Sequence, residues 1–590
     1  MPQIEKMSLK SFWEAVEQRL AAYSADELCA ILRTMAQETP PTERQAFLAR
    51  LKPIAETAAA VQQALRQEDL LADIADLTHE LKAEMERAEY WEERHGWDEY
   101  YDEEDSLGPY EDFVEPLIAL FDRTDAVFDY GNYALARAAY QKLFAVLDLD
   151  DGYGRGVSAE DLRSVDIGEA CARYLRAAYE TEPPAHRPQA LFEQMRQMQS
   201  RLARPRPMLE DIIQISSKPL PDQDQFLSDW VAFLRGQGGS DADGWLREAV
   251  RLSQGTRGLE ELARAEGKKR PRAYLDWFAA LEREGKHREV LAAAQEALQT
   301  LPNKLPIRAA IADHLCTAPT KLNETDTLRA GRWEAFVAKP TLVRLLDLWD
   351  TAPTGEERTR LMRQAVQHVK DYLAHPSGRQ EMETWWGEDD LERPAWISKS
   401  VLAHAYLLAE DWDTAQQLAA REQVLGWTSS KNPQGLVMSS SLVLLSDKRP
   451  GTLPPNLTQL WQWGLQNSIG FGYWSGIDKE EDSTLKRLER AYADRLSTAS
   501  SLSHGKQEQV LSWCLDVAQQ RVNAIVSNQR RGSYGKAAVL IAACAEVLRL
   551  RGKGKEAGAL LDDVRNRFPR HRAFQAELKA AVQRMERSLR

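Results

Sequence analysis

The chain has 590 residues, of which 43% are hydrophobic and 28% charged, and its formal net charge is −14 at pH 7. This hydrophobic content excludes a disordered chain, and the length predicts roughly three to four structural units. Residues that favour helices dominate, and no run of alternating Val, Ile and Thr lies between hairpin turn residues. The composition therefore predicts an all-α protein.

The cysteines and the apolar segments indicate the cellular compartment in which the protein is found. The five cysteines are far apart and odd in number: Cys29, Cys171, Cys316, Cys514 and Cys544. This pattern is typical of reduced thiols that pack as small core residues in the cytoplasm. The first residues lack the apolar stretch of a signal peptide, and no segment reaches the ~20 apolar residues of a membrane span. We expect a cytoplasmic protein with no membrane partner.

Changes in composition along the chain predict five regions. They are an N-terminal helical region at 1–75, helical hairpins with an acidic aromatic insertion at 76–210, a central tetratricopeptide-like domain at 211–427, a loop or linker at 428–457, and a C-terminal helical domain with a basic hairpin at 458–590. Glycine, proline and serine clusters punctuate the helical patterns and place these boundaries.

The insertion is strongly acidic. Residues 84–115 contain 14 acidic side chains against two arginines. The predicted acidic patch consists of Asp102, Glu103, Glu104 and Asp105. An EF-hand is excluded, because Leu107 and Phe113 occupy the sixth and twelfth positions, where such a loop requires glycine and glutamate. The stretch is either an interaction surface or a set of solvated helix faces.

Four segments match the tetratricopeptide pattern, in which two antiparallel helices pack through small residues around a tight turn. The predicted turns are Gly131-Asn132, Gly285, Asp411-Trp412 and Gly552. The residues predicted to pack inside the two full-length matches are Tyr274, Trp277, Phe278, Leu281, Ala294 and Ala297 in one, and Ile541, Cys544, Ala545, Leu548, Ala557, Leu561 and Val564 in the other. Because the copies are widely separated, they predict an irregular α-solenoid with inserted helices.

Tryptophan is unusually frequent, with 17 in the chain. Two clusters, Trp385-Trp386 and Trp461 with Trp463, are predicted to bind a partner, since aromatic side chains are common interface anchors. The alternative is that these large rings fill gaps between irregular hairpins.

The segment Thr428–Leu457 is rich in Ser, Pro and Gly. That composition predicts an exposed loop or linker, where proteases cut and partners bind. A buried helix at Leu442–Leu445 is the second interpretation.

The C-terminal region is basic, with 15 Lys or Arg against 6 Asp or Glu from Arg530 to Arg590. The predicted basic patch consists of Arg530, Arg531, Arg570 and Arg572. Phosphate binding requires such clusters on one face, and solvated helix faces are the alternative.

The residues from Trp513 onward contain two short motifs. They are Arg531-Gly532-Ser533-Tyr534 followed by Lys536-Ala537-Ala538, and Arg567-Phe568-Pro569-Arg570 followed by His571-Arg572-Ala573-Phe574. With these motifs the segment resembles the C-terminal helical region of bacterial SWIM zinc-finger proteins. The zinc motif of that family, CxC followed by CxH, does not occur in this chain. The resemblance therefore implies a shared helical scaffold without the metal finger.

Motifs for catalysis are missing from the sequence: GxGxxG after a strand, GxxxxGK[ST], HExxH, GxSxG and CxxC do not occur. His314 and Cys316 are two residues apart, which places them on different faces of a helix and not on a shared metal. His404 is interpreted as a packing histidine. We expect no enzymatic activity, no cofactor and no metal.

These observations predict a bacterial, non-enzymatic scaffold or adaptor that binds one or more proteins. One alternative is an accessory protein of a CRISPR-linked antiviral defence system that is regulated by cleavage in the 428–457 loop. A further alternative is nucleic-acid binding through the basic C-terminal region, against which the negative net charge argues.

Overall fold

The computed structural model describes residues 67–95, 108–151, 155–202, 207–322, 325–374, 397–469, 478–498 and 502–587, together with residues 23, 24, 27, 31, 32, 35 and 391. Over these residues the secondary structure consists of helices and turns without a strand, which confirms the all-α prediction. No helix in this part of the chain is long and apolar enough to cross a membrane.

The chain divides into two compact units, 1–262 and 263–590. The described helices that begin in unit 1 are α1 (Gln67–His95), α2 (Val114–Asp129), α3 (Tyr133–Val146), α4 (Ile167–Thr181), α5 (Arg187–Leu202), α6 (Leu209–Gln214), α7 (Gln223–Arg235) and α8 (Ser240–Glu266). The buried guanidinium of Arg176 on α4 donates hydrogen bonds to the carbonyl oxygens of Lys218 and Pro219, at 3.1 and 2.8 Å. This arginine fixes the segment after α6 against α4.

Unit 2 contains the remaining described helices. They are α9 (Arg272–Arg283), α10 (His287–Thr300), α11 (Arg308–Leu322), α12 (Thr325–Ala338), α13 (Leu342–Thr351), α14 (Gly355–Ala374), α15 (Lys399–Leu408), α16 (Trp412–Ala420), α17 (Gln434–Leu445), α18 (Pro455–Ile469), α19 (Asp478–Thr498), α20 (His504–Val526), α21 (Tyr534–Leu550), α22 (Gly554–Arg567) and α23 (Arg572–Arg587). Consecutive helices pack against each other along much of this unit.

Both full-length hairpins of the sequence pattern are confirmed. Helix α9 packs on α10, and α21 packs on α22. Gly285 and Gly552 close the two turns with φ of +72° and +74°, a left-handed conformation that glycine adopts without steric cost. All the side chains predicted to lie inside these hairpins are buried.

The two shorter matches also form hairpins, α2 with α3 and α15 with α16. The side chains of Asn132 and Asp411 accept hydrogen bonds from backbone N–H groups in the first turns of α3 and α16. These contacts cap both helices. In the second hairpin the left-handed residue is Glu410, with φ of +63°. The solenoid arrangement of the hairpins stays a prediction.

The cysteines behave as core residues in the described part of the chain. There Cys171, Cys316, Cys514 and Cys544 are buried thiols. Burial raises the pKa of Cys316 to about 11 and that of Cys544 to about 12. Both thiols therefore stay protonated near neutral pH, as packing residues do.

The prediction of an exposed loop at 428–457 is wrong for 434–445, which form the buried helix α17. Two of the serines that made this segment look like a loop satisfy their hydroxyl groups within it. Ser439 donates to the carbonyl of Leu436 at 3.0 Å, and Ser446 donates to that of Val443 at 2.7 Å. Because serine is small and can bond its own helix, it suits a crowded helix crossing.

The N-terminus of α18 is anchored by a buried carboxylate. Glu546 of α21 is 3% exposed and accepts hydrogen bonds from the backbone N–H groups of Asn456 and Leu457, at 3.2 and 2.8 Å. The Asn456 side chain donates to the same carboxylate at 2.6 Å and to the carbonyl of Ala581 at 3.1 Å. This contact therefore joins α18, α21 and α23.

His404 lies in the core of unit 2 and is 0% exposed. Its Nδ1 and Nε2 share hydrogen bonds with the hydroxyl groups of Tyr492 and Ser468, at 2.9 and 2.8 Å. Burial lowers the pKa of His404 to about 3, so the ring is neutral near pH 7. The interpretation as a packing histidine is confirmed.

We predict that the pH dependence of stability reports this burial. The unfolded chain binds a proton at His404 below about pH 6.5, whereas the folded chain excludes it down to the lowered pKa. The free energy of unfolding should therefore decrease as the pH is lowered through this window, by up to about 1.4 kcal/mol per pH unit. Urea denaturation between about pH 7 and pH 5 should show a shallower slope for H404Q than for the wild type. The exposed His504 supplies the control H504Q, and equal slopes for all three proteins would contradict the account.

Substitution of Glu546 by Gln should lower the free energy of unfolding by about 2 kcal/mol, because an amide presents only one oxygen to the donors of α18. The exposed Glu586 of α23 supplies the matched variant E586Q, expected to change stability by less than about 0.5 kcal/mol. Chemical denaturation of both variants measures the difference. Equal stability of the two variants would show that the buried carboxylate does not anchor α18.

Candidate functional site

A pocket of about 210 Å³ opens in unit 2 beside the packing of α17 on α18. It reaches the surface at Thr428, Gln466 and Lys536, which are exposed side chains of its lining. Its walls come from the turn before α17 together with the start of α17, and from α18, α20 and α21. Four parts of the chain that are distant in sequence thus meet at one opening.

Two glycines allow the close approach of the pocket helices. A Cβ atom on Gly464 of α18 would lie 2.2 Å from Oγ of Ser439 on α17, closer than real atoms approach. A Cβ atom on Gly435 of α17 would lie 3.1 Å from the indole of Trp427. Both glycines line the pocket, so its floor depends on the absence of side chains at these positions.

Arg521 is the buried charge of the pocket. It is 7% exposed, its guanidinium carbon lies 4.0 Å from the ring centroid of Trp427, and it donates a hydrogen bond to the carbonyl of Val424. Among the described residues no carboxylate pairs with it. Burial lowers the pKa of Arg521 to about 10, which reflects the cost of removing this cation from water. The pocket therefore carries a positive charge without a counter-ion in that part of the chain.

The indole of Trp427 is held in place beneath Arg521. Its Nε1 donates to Oε1 of Gln434 at 3.1 Å, and the Gln434 amide donates to the carbonyl of Ala419 at 3.2 Å. Because the indole N–H is satisfied away from the pocket, Trp427 presents its ring face to the guanidinium. This arrangement fixes the cation by a cation–π contact and not by an acid.

The wall contributed by α18 combines apolar and amide groups. Leu460, Trp463, Gly464 and Asn467 recur at intervals of three and four residues, which places them on one helix face. Trp463 is partly buried and Asn467 is half-buried. Lys536, in the first turn of α21, adds a second positive charge at the opening. The pocket thus offers two indoles, amide groups and two cations.

The predicted basic patch lies at the beginnings of two helices, α21 and α23, that pack against each other. Arg530 and Arg531 precede α21, and Arg570 and Arg572 lie at the start of α23. Tyr534, the first residue of α21, has its ring centroid 5.8 Å from that of Phe574 on α23. All four arginines are exposed, and within the described residues none of them has an ion pair.

Some other cations of this region are neutralised by ion pairs. Arg551 and Lys553 both contact the carboxylate of Glu508 on α20. The four arginines and Lys536, in the first turn of α21, are among the cations of this region that have no ion pair within the described residues.

Of the predicted partner-binding tryptophans and the predicted acidic patch, the structure describes only Trp461 and Trp463. Trp463 lines the pocket, as a partner-binding residue should. Trp461 is 4% exposed and packs in the core, because it faces the opposite side of α18, and so its side chain is not an accessible anchor. Trp385, Trp386 and the acidic patch, residues 102–105, lie outside the described residues.

Sequence reasoning missed Trp427, Arg521 and Lys536. One signal was present: Arg521 interrupts the apolar stripe of α20, where the neighbours on its face are buried. Those neighbours are Cys514, Val517, Ala518, Val522 and Ile525. A lone arginine at such a position indicates a buried charge, although the pattern does not say what faces it.

The pocket is equipped for recognition of an anion beside an apolar group. A guanidinium binds carboxylate or phosphate oxygens through its fork of donors, and indole faces pack on apolar groups. No three His, Cys, Asp or Glu side chains of the described ranges lie close enough to share a metal ion. No protein-family model matches the chain, and no curated protein resembles it in sequence. The resemblance to SWIM proteins stays a prediction.

We predict that Arg521 contributes little to stability without a ligand. R521M should change the free energy of unfolding by less than about 1 kcal/mol, because the desolvation cost of the unpaired charge offsets its contacts. Arg308 is a matched buried arginine, which bonds the carbonyls of Leu298 and Leu301 and pairs with Glu334 at 3.0 Å. R308M should lower the free energy of unfolding by about 3 kcal/mol, because it leaves Glu334 without its partner. Equal losses in chemical denaturation would show that Arg521 is a structural cation.

Proposed function

We propose that the protein is a non-enzymatic interaction scaffold that binds an anionic segment of a partner protein at the pocket and the adjoining arginine turns. The observation that carries this proposal is Arg521, a buried cation that faces a solvent-accessible pocket without a carboxylate from the described residues. A buried unpaired charge is costly for folding alone, and an anionic ligand offsets that cost.

The four exposed arginines add positive charge to the helices around the pocket. Arg530 and Arg531 precede α21, the helix that contributes Lys536 to the pocket, and Arg570 and Arg572 lie at the start of α23, which packs against α21. Exposed charges of this kind contribute little to affinity individually, but they raise the association rate of an acidic partner. The indole of Trp463 and the side chain of Leu460 supply the apolar contact that makes such binding specific.

Nucleic-acid binding is the second candidate, and the unpaired charge of Arg530, Arg531, Arg570 and Arg572 favours it. A nucleic-acid complex should weaken steeply between ~50 and ~200 mM salt. The protein-binding proposal has more support, since the pocket places its cation beside buried and partly buried indoles and not along an open basic groove.

The defence-system alternative depended on cleavage in the 428–457 segment. Helix α17 occupies the middle of that segment and is buried, so a protease reaches 434–445 only after local unfolding. Turns remain on either side of the helix, at 428–433 and 446–454. This alternative therefore has less support than the scaffold proposal.

The proposal is tested by capture of partners from the native host with the tagged full chain, after nuclease treatment. We expect a stoichiometric protein to be retained by the wild type and by R551Q, a control in which the changed arginine is half-buried, lies outside the pocket and is already paired with Glu508. Retention should fall at least tenfold with R521M and with the quadruple variant R530E/R531E/R570E/R572E.

Three results would overturn this proposal. Retention that is equal in all variants places the partner elsewhere. Retention that disappears with nuclease favours nucleic acid. Absence of any retained protein removes the basis for a scaffold that acts through this surface.

A further inference from the structure

We infer that the pocket recognises the C-terminal residue of the partner, with the terminal carboxylate on Arg521 and an apolar side chain against Trp463 and Leu460. This inference rests on the proposed function and names the chemical group that the scaffold would bind. It follows from the size of the pocket, its charge and the composition of its walls.

The volume limits the ligand to about one residue. Pockets that enclose drug-sized molecules measure roughly 300–1,000 Å³, and this one measures about 210 Å³. A nucleotide with base, sugar and phosphate exceeds that space, whereas a single amino-acid residue with its terminal carboxylate fits it. The ligand is therefore the end of a chain or one side chain of it.

The charge of the pocket selects a carboxylate. Arg521 is held from beneath by Trp427 and from one side by the carbonyl of Val424, so the direction of its guanidinium is fixed. A fixed guanidinium offers two parallel N–H groups to the two oxygens of a carboxylate. Lys536 is exposed at the opening and adds a second cation without such a direction.

The walls favour a terminal residue over an internal Asp or Glu. The apolar part of an internal Asp or Glu side chain consists only of methylene groups. These are too small to cover the apolar surfaces of Trp463 and Leu460. A terminal residue carries the carboxylate and an apolar side chain on the same Cα atom. The amides of Gln466 and Asn467 at the rim provide hydrogen bonds for the peptide group that precedes it. Capture of a chain terminus by a built anion site is a known mode of peptide recognition.

The test uses acetyl-Ala-Ala-Ala-Leu with a free C-terminus, its C-terminal amide, and acetyl-Ala-Ala-Glu-Ala amide as the internal acid. Isothermal titration with the full chain measures the three affinities. We expect the free acid to bind at least tenfold more tightly than either amide. R521M should abolish this difference, whereas R551Q should keep it. W463A should weaken binding of the free acid, and the comparison of the three peptides itself uses only the wild-type protein.

The outcomes separate this inference from the proposed function. If all three peptides bind alike, or if none binds, while capture of a protein partner still requires Arg521, terminal recognition is wrong and the scaffold proposal stands. If the internal acid binds as tightly as the free terminus, an acidic side chain is the ligand and the inference is overturned. If neither peptides nor a partner depend on Arg521, both proposals fail.

Discussion

The first backbone N–H groups of α18 have no partner inside that helix, and Glu546 accepts two of them from 89 and 90 residues away. This buried carboxylate sets the position of α18 relative to α21, and Asn456 extends the link to α23. Trp463, Gly464 and Asn467 follow on the same helix. Any change at its N-terminus therefore moves one wall of the pocket. Burial raises the pKa of Glu546 above its ordinary range despite these donors, which shows how far the site is removed from water.

The buried carboxylate of Glu546 and the buried guanidinium of Arg521 show two different solutions to the cost of removing a charge from water. Glu546 is surrounded by donors, whereas Arg521 has an aromatic face, one carbonyl and an opening to solvent. A cation that served the fold alone would gain from an internal partner, as Arg308 does with Glu334. The difference between these two arginines is the structural basis for assigning binding to one and packing to the other.

Local sequence rules were sufficient for the hairpins and insufficient for the pocket. Gly285 and Gly552 mark left-handed turns, and the apolar spacing around them repeats with the helix period, so both hairpins follow from nearby residues. The sequence indicated a buried helix only at Leu442–Leu445, as a second interpretation, because the serines before it are typical of loops. The structure shows that α17 begins at Gln434 and that Ser439 bonds within the helix. The pocket joins Trp427 to Lys536 across more than a hundred residues, and no local pattern records such a meeting.

The tryptophans show the same limit on one helix. Trp461 and Trp463 are two residues apart and looked equivalent in the sequence, yet α18 turns one into the core and the other toward the pocket. The burial of a helix face is set by its tertiary neighbours, here α17 and α21. The absence of a carboxylate beside Arg521 among the described residues likewise follows from tertiary packing, and the sequence around Arg521 does not indicate it.

The most direct measurement is ¹⁹F NMR of the full chain labelled with 5-fluorotryptophan, with each pocket signal assigned by a Trp→Phe variant. On addition of a captured partner, the account predicts shifts of the Trp427 and Trp463 signals and little change at the buried Trp461, which serves as the internal reference. Shifts confined to tryptophans outside the pocket, with Trp427 and Trp463 unchanged, would contradict the claim that this protein binds its partner there.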